Sequence, residues 1–81
     1  MKVRVLYFAA ARELTSVKDE QMSLDDGTSI QDLSKELVRK HPALGRMERS
    51  LRFSVNLEVA DGNSRIRDGD EVGVLPPVAG G

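Results

Sequence analysis

One long apolar stripe at helical spacing runs through this chain. Ile30, Leu33, Leu37 and Val38 follow the pattern of a helix with a single face to bury. One such helix cannot enclose a core by itself. The other apolar residues must supply the surface it packs on, and they alternate. Val3, Val5 and Tyr7 fall on one face of residues 2–8, with Lys2, Arg4, Leu6 and Phe8 on the other. In residues 71–75, Val72 and Val74 point inward. A helix laid on one face of a sheet satisfies both periods.

The remaining elements fall around this pair. Residues 9–14 are rich in helix formers and predict a turn or two of helix. Residues 17–24 read as a weaker strand with Val17, Met22 and Leu24 inward, closed by the turn Asp25-Asp26-Gly27. Thr28 and Gln31 have the spacing of a capping box at the helix start. Arg39, Lys40 and His41 complement the helix C-terminus, and Pro42 ends it. Residues 43–51 look irregular, with one short turn. Phe53, Val55 and Leu57 alternate with Ser54, Asn56 and Glu58 as a third strand, and Val59-Ala60 starts a short fourth. The turns Asp61-Gly62-Asn63 and Asp68-Gly69-Asp70 precede the final strand. Pro76 and Pro77 have no N–H to donate, so strand pairing stops there.

Two strands, one main helix, then two or three strands is the order of an α+β, β-grasp (ubiquitin-like) fold. Such a fold has a mixed sheet of four to five strands with its first and last strands side by side in the centre. The expected organisation is one domain over 1–75 with an extended C-terminal tail over 76–81. Fully extended, the tail would reach about 20 Å.

Composition narrows the function. The chain has 81 residues and a net charge of −1, so no basic excess suits it to nucleic acid. No apolar run approaches membrane-spanning length. The start Met1-Lys2-Val3-Arg4-Val5-Leu6 lacks the features of a secretory signal, so the cytoplasm is the expected compartment. Cysteine is absent, which excludes disulfides, thiolate metal sites and a cysteine nucleophile. Asp25-Asp26 and Asp68/Asp70 flank glycines and read as turn chemistry, leaving no metal site expected. His41, beside Pro42, reads as a helix-end cap. Arg12 and Glu13 read as structural, and Arg46, Arg49 and Arg52 as a solvated basic face.

The strongest functional signal is the ending Val78-Ala79-Gly80-Gly81. Two terminal glycines put an α-carboxylate on a tip without side chains, able to enter a narrow active site. Lacking Cβ atoms, Gly80 and Gly81 let a nucleotide or similar group come close to the backbone. Beside the tail, Leu6, Phe8 and Leu75 fall on the outward face of adjacent strands, a contiguous apolar patch of the kind that marks an interface. Val59 joins this set, although the turn before it leaves its facing open.

Several segments together resemble a known family. They are Val5-Leu6-Tyr7-Phe8-Ala9, Arg12-Glu13-Leu14, Phe53-Ser54-Val55-Asn56, and Asp68-Gly69-Asp70-Glu71-Val72 running on to Pro76-Pro77-Val78-Ala79-Gly80-Gly81. They resemble the small subunit of molybdopterin synthase, the MoaD type, over essentially the whole chain. Ala79 departs from the Ser or Thr usual there, with little effect expected because that side chain does not react. The resemblance implies a sulfur carrier. An ATP-dependent activating enzyme of the ubiquitin-activating type adenylates the carboxylate of Gly81. A sulfur donor protein then converts it to a thiocarboxylate. The tail enters the large subunit, where sulfur passes to a cyclic pterin monophosphate to build the molybdopterin dithiolene. The resemblance further implies a complex of two small and two large subunits. The large subunit supplies the active-site residues, and the small one turns nothing over alone. It also puts partner contacts at Phe8 and Leu75, with Pro76, Pro77, Val78 and Ala79 leading Gly80 and Gly81 into the partner.

The residues are compatible with that chemistry. An α-carboxyl group with a pKa of about 3.3–3.7 is ionised at neutral pH and is a poor electrophile. Adenylation supplies the leaving group. The chain has no P-loop pattern, so ATP is held by the activating enzyme and no cofactor is expected on this chain. Three alternatives remain at this level. One is a ubiquitin-like modifier joined through Gly81 to lysines, and another is a thiamine-type sulfur carrier, against which Pro76-Pro77-Val78 speaks. The third is an interaction domain whose glycines are incidental.

Overall fold

The computed structural model describes residues 1–77. Its elements are β1 (Lys2–Tyr7), α1 (Ala9–Thr15), β2 (Asp19–Ser23), α2 (Ile30–Lys40), a 3₁₀ helix (Pro42–Ser50), β3 (Arg52–Val55), β4 (Glu58–Ala60) and β5 (Glu71–Leu75). The five strands form one mixed sheet in the order β2-β1-β5-β3-β4. β1 and β5 run parallel in the middle, with Arg4 opposite Glu71 and Tyr7 opposite Val74. The other pairs are antiparallel. This is the β-grasp arrangement that the element order implied.

Alternation decides which face is closed. Val3, Val5 and Tyr7 of β1 and Val72 and Val74 of β5 are buried. They form one core with Ile30, Leu33 and Leu37 of α2, Leu44 of the 3₁₀ helix, and Phe53 and Ile66. Fully burying each such side chain contributes about 1.5–3 kcal/mol.

Three local expectations need correction. The cap of α2 is Ser29, one residue later than expected. Its hydroxyl accepts from the Asp32 N–H at 3.2 Å, and the Asp32 carboxylate accepts from the Ser29 N–H at 3.5 Å. Ser29 is held extended by a bridge to Arg65, so the helix cannot begin earlier. Thr28 instead closes the preceding turn, its hydroxyl donating to the Asp25 carbonyl at 2.6 Å. The third strand ends at Val55, and Leu57 stands 89% exposed at a hairpin tip. Asn56 and Leu57 both take positive φ, 50° and 73°. Asn56 fixes that turn. Its N–H donates to the Glu71 carbonyl at 2.8 Å, its Nδ2 donates to Asp70 at 3.0 Å, and its Oδ1 accepts from the Glu71 N–H at 3.0 Å. The stretch expected to be irregular is largely the 3₁₀ helix, kinked at Met47.

Candidate functional site

The end of β5 sets the position of the site. Leu75 lies opposite Arg52 of β3, and the chain continues through Pro76 and Pro77 without further pairing. An apolar groove lies beside this exit. Phe8, Leu75, Pro76 and Pro77 line it, with Ala9 and Ala10 from α1 and Ser50 and Arg52 at its other border.

Phe8 reaches the groove because of the backbone around it. Its N–H donates to the Val74 carbonyl at 3.2 Å, which carries the β1–β5 pairing one residue past the strand. Its carbonyl accepts from the N–H groups of Ala11 and Arg12, which makes it the cap of α1. The chain turns from strand to helix at Ala9, whose φ is 47°. That left-handed conformation costs a residue with a Cβ about 1–2 kcal/mol. The turn leaves the Phe8 ring 44% exposed on the outer face.

Gly73 makes room for the ring. A Cβ at this position would sit 3.2 Å from Phe8 Cε2 and 2.5 Å from Ser54 Oγ. The bare strand lets both side chains close over it. Gly73 was not singled out from the sequence, although a glycine inside a strand is a sign of close approach.

The strand register places the other members of the expected patch. Leu6, Gly73, Ser54 and Val59 lie opposite one another in one row across β1, β5, β3 and β4, and so share the outer face. Val59 therefore faces outward, and it is 89% exposed. Leu6 is half-buried. Neither lines the groove. Leu6 is one row inward from Phe8 and Leu75, and Val59 is on the edge strand beyond Ser54. Val78, Ala79, Gly80 and Gly81 lie outside the described residues.

The most perturbed charge sits on the inner side of the sheet. The Glu20 carboxylate of β2 accepts from Tyr7 Oη at 2.6 Å and Lys40 Nζ at 2.5 Å, and lies 2.7 Å from His41 Nε2. Burial pushes its pKa up, but the hydrogen bonds from Lys40, Tyr7 and His41 outweigh this and hold it down at about 2. Burial, with Glu20 as neighbour, pushes the Tyr7 hydroxyl far above its ordinary value. His41 caps α2 through its backbone N–H, which donates to the Leu37 carbonyl at 2.7 Å. This cluster ties β1 and β2 to the end of α2 and faces away from the groove. Among the described residues, no group of three or more His, Cys, Asp or Glu side chains is arranged to hold a metal ion. Nor is any helix among them long and apolar enough to cross a membrane.

The model of the ThiS family matches residues 5–81. The chain belongs to the ThiS family. Among ThiS-family relatives, the "Molybdopterin synthase sulfur carrier subunit" of Chlamydomonas reinhardtii is 36% identical over 83 residues, covering 100% of both chains. A putative molybdopterin converting factor, subunit 1, from Pyrococcus furiosus has a TM-score of 0.85 at 32% identity, covering 95% of this chain and 98% of that one. SAMP1 of Haloferax volcanii, a small archaeal modifier protein, has a TM-score of 0.87 at 26% identity, covering 100% of both.

Proposed function

We propose that this ThiS-family chain is the sulfur carrier, or small, subunit of molybdopterin synthase. The observation that carries this reading is the end-to-end correspondence, at 36% identity, with a relative of that name. The groove beside Pro76 and Pro77 supports it, because a carrier must hold its partner next to the segment that enters it.

The chemistry then belongs to the carboxylate of Gly81. An oxygen of that carboxylate attacks the α-phosphate of ATP on an activating enzyme and releases pyrophosphate. The outer sulfur of a donor protein's persulfide displaces AMP from the acyl-adenylate, and a thiol then reduces the resulting sulfur–sulfur bond, freeing the thiocarboxylate and leaving the donor in a disulfide. In the large subunit two such carriers in turn each pass one sulfur to a cyclic pterin monophosphate, and water releases each acyl group from the transferred sulfur as the carboxylate, ready for another round. This chain contributes the reactant and the docking face, built from Phe8, Leu75, Pro76 and Pro77 with Leu6 and Val59 alongside. Val78 and Ala79 form the approach to Gly80 and Gly81, where the absence of Cβ atoms allows close passage. ATP is consumed by the activating enzyme, and two small subunits join two large ones.

The test is intact mass after incubation with ATP, an activating enzyme and a sulfur source. The expected result is a gain equal to replacing one oxygen by sulfur, lost when Gly81 is deleted and strongly reduced in Gly81→Val. The likeness to SAMP1 favours one second reading, a modifier joined through Gly81 to lysines. ATP-dependent adducts on other proteins without the sulfur gain would select it.

A further inference from the structure

The glycine under the Phe8 ring differs from the other described glycines. A Cβ on Gly27 or Gly69 would meet nothing within 4 Å, and one on Gly45 or Gly62 would meet ordinary contacts at 3.6 and 3.5 Å. At Gly73 the same atom would stand 2.5 Å from Ser54 Oγ and 3.2 Å from Phe8 Cε2. Side chains from both neighbouring segments, the end of β1 and β3, therefore converge on the space a side chain would fill. Gly73 is buried on a face where Phe8 itself stays 44% exposed.

The ring reaches Gly73 along a diagonal. Tyr7 lies opposite Val74, so the register puts Phe8 in the row of Leu75. Gly73 is one row back on the same face, within reach of an aromatic side chain. The groove lies on the other side of the ring. Leu75, Pro76 and Pro77 line it together with Phe8, and Gly73 does not. The ring therefore stands between Gly73 and the groove and leans toward the glycine. The Phe8 backbone has no freedom to follow a change there. Its N–H is bound to the Val74 carbonyl at 3.2 Å, and its carbonyl accepts from Ala11 and Arg12 at 3.0 and 3.3 Å. Ser54 can turn its hydroxyl to another rotamer. A methyl at position 73 would thus be answered by the Phe8 ring, which has to swing toward the groove.

Resting on the sulfur-carrier reading above, we propose that Gly73 is a positioning residue for docking of the large synthase subunit. Its missing Cβ seats the Phe8 ring over β5 and keeps the groove beside the tail exit open. An aromatic anchor already held in place also costs less to order when the partner arrives.

The test is a double-mutant cycle on the full-length chain, read as affinity for the large subunit from the same organism by isothermal titration. Gly73→Ala should weaken binding about threefold and Gly73→Val about tenfold, both through the displaced ring. In a Phe8→Leu background, which has no ring to displace, either change should cost less than about twofold. Thermal melting sets a temperature at which every variant is folded. A glycine needed only for the fold would lose stability and affinity together in both backgrounds. Independently of any partner, proton NMR of the wild-type chain should show an Overhauser contact between the Gly73 Hα protons and the Phe8 ring. Equal losses in both backgrounds, no loss in either, or the absence of that contact overturns the seat. Sulfur loading of Gly81 is read in parallel. If the wild-type chain gains sulfur and binds but the cycle shows no coupling, the seat fails and the carrier reading stands. If it neither gains sulfur nor binds, the carrier reading fails, and the docking role of Gly73 fails with it.

Discussion

On the inner face of the sheet, Val3, Val5, Val72 and Val74 are sealed by α2, and Glu20 satisfies donors from three neighbours. On the outer face, Phe8 remains 44% exposed and Val59 89% exposed, and Gly73 lacks the Cβ that would push Phe8 and Ser54 away. The same two central strands build both faces. The difference lies in what each face meets. The inner face is completed by the chain itself, whereas the outer face keeps apolar side chains exposed, as the proposed docking role requires. Even the backbone follows this division. α2 begins with a fully formed capping box, whereas α1 begins at a strained Ala9 beside the groove.

Substitutions on the two faces should therefore separate stability from binding. The largest stability loss belongs to the sealed face. Leu37→Ala should lower unfolding free energy by about 2–5 kcal/mol in urea titration. Partner affinity should change little at temperatures where the variant is folded.

Glu20→Gln should come next, at about 2 kcal/mol near neutral pH. Its pH dependence has a definite sign. The Glu20 pKa is depressed to about 2, so its contribution is present above the ordinary carboxylate range and is lost as pH falls toward 2. The gap between wild type and Glu20→Gln should therefore shrink on acidification from about pH 4.5. Tyr7 works at the other end of the scale. Its pKa is raised, so its contribution is full below pH 10 and declines above it, as the unfolded chain ionises first. A stability gap that grew on acidification would contradict this account of the cluster.

Phe8→Ala should reverse the pattern. Its cost in stability should stay near 1 kcal/mol, while affinity for the large subunit falls by about 2 kcal/mol, as for a buried aromatic anchor. A larger loss in stability than in affinity would make Phe8 a core residue and erase the contrast. The smallest expected effect is at Ala9. Glycine there relieves the left-handed strain but loses backbone entropy, so Ala9→Gly should stabilise by about 0.5 kcal/mol. Ala9→Val should destabilise.

The same contrast explains what could be read in the sequence. The sealed face was legible because burial imposes a period. Val3, Val5 and Tyr7 recur every second residue, and Ile30, Leu33 and Leu37 at helical spacing. The termination at Pro76 and Pro77 was legible because proline cannot donate. What was missed depends on contacts between segments distant in the chain. Thr28 and Ser29 are both good caps, and the bridge from Ser29 to Arg65 decides between them. Leu57 continues the alternation of Phe53 and Val55, and only the clamp from Asn56 to Asp70 and Glu71 turns the chain there. Glu20 and His41 lie far apart in sequence and meet only once β2 and α2 are packed. Of the groove, Phe8, Leu75, Pro76 and Pro77 were identifiable from strand facing and the tail. The roles of Gly73 and Ala9 depend on a ring position and a backbone angle that no pattern of residue types specifies.

The most direct measurement starts from the full-length chain already bearing a thiocarboxylate at Gly81. It is mixed with the large subunit and the cyclic pterin monophosphate, and its intact mass is followed over a single turnover. The account predicts that the carrier loses its sulfur, returning to the carboxylate mass, while one dithiolene-bearing pterin appears for every two carriers discharged. A thiocarboxylate that stays intact in the presence of both, or that leaves only by joining lysines of other proteins, would contradict it.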